Sequence, residues 1–114
     1  MDDIRLTSRG RKLLSVLYEE YGKQLKAEKT EMDAVLMGSP NEIQETLLPD
    51  WRREKVVSAC SDLADAGFLN LIEGGNDVLG AILTNAAIAW MDAQGSRRAQ
   101  TVWSIIKTVF SFLR

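Results

Sequence analysis

A mainly helical domain with one β-hairpin is the fold class this sequence predicts, and three observations carry the prediction. Apolar residues return at three-and-four spacing in several separate stretches, the period of helices buried on one face. Serine, threonine, glycine and proline fall between those stretches, where helices start and stop. Over one segment only, FLNLIEGGNDVLGAILT from Phe68 to Thr84, the period shortens to two.

The first helix follows Thr7 in TSRGRKLLSVLYEEYGKQL, with Leu13, Leu14, Leu17, Tyr18 and Tyr21 on one face. TEMDAVLMG repeats the spacing briefly at Met32, Val35 and Leu36 and ends at Gly38, which reads as a short helical turn or an irregular connection with a glycine C-cap. In SPNEIQETLL, Ser39 and Glu42 form a capping box around Pro40 at the first helical position. Pro49 ends that helix. Asp50 is placed to cap the next one, WRREKVVSACSDLADAG, which Gly67 closes in the left-handed conformation. Leu69, Leu71 and Glu73 then alternate with Asn70 and Ile72, and Gly74-Gly75-Asn76-Asp77 makes the turn into VLGAIL. A lone hairpin is marginal in water, so this one must lie on the helices. Thr84 can cap a helix to Gly95, and Ser96 can start a last one, SRRAQTVWSIIKTVFSFLR. The division is thus a domain over residues 1–95 and a C-terminal amphipathic helix over 96–114.

At 114 residues the chain can bury a core without staples, and 46% hydrophobic with 26% charged residues is ordinary for a globular protein. The net charge of −2 supplies no protein-wide positive field for nucleic acid. One cysteine and no histidine leave no imidazole base and no Cys/His zinc cluster, so an enzyme is not expected and no cofactor or metal is implied. MDDIRLTSRG has no apolar signal region, which points to the cytoplasm.

Helix, short helix, longer helix and hairpin is the order of a winged helix-turn-helix domain, filled here between about Thr7 and Thr84. The chain resembles that superfamily. In finer detail, LTNAAIAWMDAQGSRRAQTVWSIIKTVF is similar to the LT-plus-helix and Trp-bearing tail of small bacterial and phage winged-helix proteins, the YjcQ-like family. The resemblance implies a cytoplasmic, regulator-like domain.

In DNA-binding members of the superfamily the second helix of the turn enters the major groove. At about 100° per residue, Val56, Val57, Cys60, Leu63, Ala64 and Gly67 share the core side of that helix. Trp51, Glu54, Lys55, Ser58, Ser61, Asp62 and Asp65 face outward, with Arg52 and Arg53 at the edges of the first turn. Three carboxylates on that face oppose phosphate, so readout is confined to its N-terminal end: Arg52, Arg53, Lys55 and Ser58 are the expected DNA contacts. The hairpin tip carries Glu73 and Asp77 where DNA binders place lysine or arginine, a departure that favours a protein–protein interaction module instead. Arg5, Arg9, Arg11 and Lys12 form a second basic cluster, read as solvated surface.

The tail separates its faces almost fully: Val102, Trp103, Ile105, Ile106, Val109, Phe110, Phe112 and Leu113 against Thr101, Ser104, Lys107, Thr108, Ser111 and Arg114. A homodimer through Trp103, Ile106, Val109, Phe110 and Leu113 ranks first, packing on the chain's own core second, and a membrane surface last, because the polar face has few cations. Cys60 falls on a core face and reads as a small hydrophobe. Gly74-Gly75 opens no helix and is turn geometry, not a phosphate loop. Two functions remain: a DNA-binding, transcription-regulator-like protein, and a module that binds protein without nucleic acid.

Overall fold

In the computed structural model, residues 5–94 are described. Four helices, α1 (Ser8–Lys26), α2 (Glu31–Ala34), α3 (Pro40–Thr46) and α4 (Arg53–Asp65), and three strands, β1 (Leu36–Gly38), β2 (Leu69–Gly74) and β3 (Asp77–Leu83), precede a helix α5 over 85–94. The chain is therefore mostly helical with a small antiparallel sheet in the order β1-β3-β2.

Local signals account for most boundaries. Thr7 caps α1 by accepting from the Gly10 N–H, and Ser39 and Glu42 form both halves of the expected capping box at α3. Gly67 takes a φ of +81° immediately after α4, as its C-terminal position requires. Thr84 caps α5, accepting from the Ala87 N–H at 3.2 Å while its hydroxyl donates to the Gly67 carbonyl at 2.8 Å. One hydroxyl thus ties the end of α4 to the start of α5.

Two expectations fail. The TEMDAVLMG stretch holds not only the four-residue α2 but also β1, so the hairpin has a third strand: Leu36 pairs with Ile82 and Gly38 with Ala81, and the Leu83 N–H donates to the Val35 carbonyl at 2.9 Å. Three residues are too few to display a two-residue period, and a helical spacing of Met32, Val35 and Leu36 hid the strand. Gly38 does have a left-handed φ, +87°, but at the strand's exit into α3 rather than as a helix cap. Helix α4 begins at Arg53 with Arg52 as its N-cap and no side-chain cap, not after Asp50. The preceding turn is held otherwise: the Trp51 N–H donates to the Leu48 carbonyl, and the Gln44 amide donates to the Pro49 and Trp51 carbonyls at 3.3 and 3.0 Å.

Leu13, Leu14 and Leu17 of α1, Ile43 of α3, Val56, Ala59, Cys60 and Leu63 of α4, and Phe68, Leu69, Ala81, Leu83 and Ala87 form one core. Phe68 packs on Trp90 with ring centroids 5.4 Å apart, which seats α5 on the end of β2. Gly10 is buried where α1 meets α4: a Cβ there would stand 3.5 Å from the Asp62 Cβ and 3.7 Å from Leu63. The close approach brings the first turn of α1 beside α4's outward face.

Among the described residues no charged side chain is buried, and no helix is long and apolar enough to cross a membrane.

Candidate functional site

Arg9 lies on the first turn of α1, and its guanidinium reaches across to α4. Its Nε donates to Asp62 Oδ2 at 2.6 Å and its Nη2 to Oδ1 at 3.3 Å, while the Thr7 hydroxyl donates to the same Oδ2 at 2.7 Å. These bonds, with the arginine's first, hold the Asp62 carboxyl below the usual carboxylate range, and the same bond raises the arginine. Asp62 is one of the three carboxylates expected to repel phosphate from α4's outward face. Its charge is matched within the fold.

Arg9 then lines an open cleft of about 420 Å³ with Arg52, Glu54, Lys55 and Ser58. Arg52, Lys55 and Ser58, three of the four expected DNA contacts, thus share one surface. The cleft opens at the start of α4, where Arg52 gives no side-chain cap and the helix dipole is positive. Lys55 rests 4.2 Å from the centroid of the Trp51 ring, which fixes the ammonium at the cleft's edge. With Arg9 matched to Asp62, the charges of this set are Arg52 and Lys55 against Glu54.

Arg53 sits elsewhere. Its Nε donates to Asn41 Oδ1 at the start of α3, and its Nη2 stands 3.5 Å from Asp77 Oδ1 at the foot of the hairpin turn. It links α3, α4 and the hairpin and is not among the cleft's lining residues. The pair also matches the charge of one of the two acidic residues flanking the hairpin tip.

Sequence reasoning placed Arg9 in a separate cluster of solvated cations and overlooked Asn41. Neither was accessible from spacing, because Arg9 and Asp62 are 53 residues apart and Asn41 and Arg53 are 12 apart on different helices. The small residue at Gly10 is the only trace of that contact in the sequence. Arg5 and Arg11 remain exposed, as expected. Cys60 is buried, and burial pushes its thiol up to about 11, the state of an inert core thiol. No cluster of three or more metal-ligating side chains occurs among the described residues. The dimer-interface residues Trp103, Ile106, Val109, Phe110 and Leu113 lie outside the described residues.

A second feature is an apolar groove of about 650 Å³ whose lining includes Tyr21, Met32, Val35, Leu36, Ile82 and Ile88, with Glu31 as its charged residue. Met32 and Leu36 are 77% and 52% exposed there, values that leave much of both side chains in water. On the hairpin, Ile72 and Leu79 are 46% and 59% exposed. Leu79 is the extra residue of a bulge, since Ile72 pairs with Gly80 and Glu73 with Val78.

Compared with protein-family models, with curated proteins and with solved structures, the chain matches none.

Proposed function

We propose that this chain is a winged helix-turn-helix protein of regulator type, related to the YjcQ-like proteins, which contacts the DNA backbone through the first turn of α4. It would act in the cytoplasm as a homodimer joined through the C-terminal segment, and not as an enzyme. The element order supports the fold reading: a strand between α2 and α3 pairs with the hairpin in the order β1-β3-β2, and α3 and α4 are joined by a short turn. A single observation carries the functional reading. Arg9 from α1 meets Arg52, Lys55 and Ser58 of α4 in one open cleft, while its bond to Asp62 removes a charge that would oppose phosphate.

The cleft suits backbone contact better than base readout. Arg52, Lys55, Arg9 and the Ser58 hydroxyl are donors, phosphate oxygens are acceptors, and nothing in the set selects a base edge. Binding to random-sequence duplex DNA, followed by fluorescence anisotropy at low and near-physiological salt, tests the proposal. The expected result is binding that weakens about tenfold or more between the two salts and in Arg52→Ala/Lys55→Ala. No binding at low salt would end the DNA reading.

A second reading has its own support. Glu73 remains at the hairpin tip, and Ile72 and Leu79 are exposed beside it, a surface suited to a protein partner. Under that reading an Ile72→Asp/Leu79→Asp variant loses its partner while any salt-sensitive DNA binding is unchanged.

A further inference from the structure

The apolar groove has walls that the rest of the fold fixes. Leu36 of β1 pairs with Ile82 of β3, and the Leu83 N–H donates to the Val35 carbonyl at 2.9 Å, so this part of the lining is anchored to the sheet. Ile88 comes from α5, which Phe68 and Trp90 seat on the end of β2. At about 650 Å³ the groove has the size of a small-molecule site, for which about 300–1,000 Å³ is usual. Met32 and Leu36 leave more than half of their surface in water there, apolar area that a ligand's body would cover.

The polar groups of the lining favour one sign of charge. Glu31 is its charged residue, and among the described residues no lysine or arginine lines it. Tyr21 adds an aromatic ring, which attracts cations, and Asn70 and Asn85 add amide oxygens that accept hydrogen bonds. The Tyr21 phenol reports the same negative surroundings: it is raised above its ordinary value by burial first, and then by the Glu31 and Asp92 carboxylates.

We propose that the groove binds a small lipophilic monocation of ammonium type, its apolar body on Met32, Leu36, Ile82 and Ile88 and its charge against Glu31 and the Tyr21 ring. Charge complementarity selects this occupant. An anion of the same shape would meet the Glu31 carboxylate with no cation in the lining to offset it, and a neutral body would leave that carboxylate unmatched. The inference goes beyond DNA binding by α4 and does not depend on it.

Methyl NMR on the full chain tests it with two probes of one shape and opposite charge, tetraphenylphosphonium and tetraphenylborate. Saturable shifts of the Ile82 and Ile88 methyls are expected with the phosphonium, and binding about tenfold weaker with the borate. Glu31→Gln should weaken the phosphonium about fivefold, the size of one carboxylate contact near water, and Met32→Lys, which sets a like charge in the groove, about tenfold. Glu31 and Met32 are exposed, and unmoved Leu13 and Leu63 methyls check that the fold is kept. Glu45→Gln removes the same charge from an exposed site on α3 and should change nothing, which separates the groove from the protein's net charge. Borate binding as tight as the phosphonium, or equal effects of Glu31→Gln and Glu45→Gln, overturns the inference. So does the absence of saturable shifts at Ile82 and Ile88, the result expected if another part of the chain fills the groove. Shifts of these methyls on dilution without a probe assign the groove to a second copy and overturn it too.

Discussion

Single residues set the accuracy with which the elements meet. The Ser39–Glu42 capping box is complete, and the Glu42 carboxylate packs against Gly38: a Cβ there would lie 2.8 Å from its Oε2, on a backbone with φ of +87°. Gly38→Ala therefore strains the backbone and displaces the carboxylate that closes the box. A loss of about 1–2 kcal/mol in urea unfolding is expected, and Ser39→Ala should cost about 1 kcal/mol. A Gly38→Ala variant as stable as the natural chain would remove the strained position from the account. Tyr18 offers a test by pH. Its phenol donates to Asp92, and that bond, more than burial, pushes it up to about 12 from an ordinary value of 10. A raised value means that the stabilisation is complete below about pH 10 and is lost as pH climbs toward 12. Tyr18→Phe should therefore be less stable at neutral pH and show a flatter decline above pH 10. Equal alkaline slopes in the two proteins would contradict the bond.

At the scale of elements, the α1–α4 contact decides the character of the candidate site. Gly10 allows the helices to approach, and the approach places Arg9 on Asp62. Gly10→Leu would force side-chain volume into that contact, so a loss of about 1–3 kcal/mol is expected, together with a rise of the Asp62 pKa toward its ordinary value. Carbon-detected NMR titration of the aspartate carboxyls reads the second effect, and an unmoved Asp62 would separate the two residues. The same contact shows where sequence reading stops. Helix α1, the α3 cap, the Gly67 terminus, the hairpin and the Thr84 cap were all legible, because each is set by residues within a turn or two of one another. Strand β1 was not, since a three-residue strand is defined by its partner, Ile82 and Ala81 of β3, and not by its own pattern. Helix α4 starts later than Asp50 suggests because Gln44, from another helix, holds the Pro49 and Trp51 carbonyls. Of the residues expected to touch DNA, Arg52, Lys55 and Ser58 come to one cleft, a nearness that their spacing at the start of one helix already implies. Arg53 turns instead to Asn41 and Asp77, partners that spacing does not reveal because they belong to other elements.

At the scale of the molecule, charge among the described residues is arranged so that an acidic protein keeps a basic cleft. Arg9 matches Asp62 and Arg53 matches Asp77, which leaves Arg52 and Lys55 at the uncapped start of α4. Arg9 acts on a bound phosphate through that pair: its one positive charge offsets the Asp62 carboxylate. Its loss unmasks one negative charge beside the cleft, so it should weaken DNA binding about as much as the loss of one phosphate contact, although it lies on a different helix from the other residues of the cleft. The salt dependence of binding to random duplex DNA, measured for the natural chain, Arg9→Ala, Arg52→Ala and the double variant, tests this account most directly. The account predicts a shallower slope of log K against log salt for Arg52→Ala, by about 0.9 for one lost phosphate contact. It also predicts a comparable loss of affinity for Arg9→Ala, and a double variant with little salt-sensitive binding left. Affinity in Arg9→Ala equal to that of the natural chain, at every salt concentration, would contradict it.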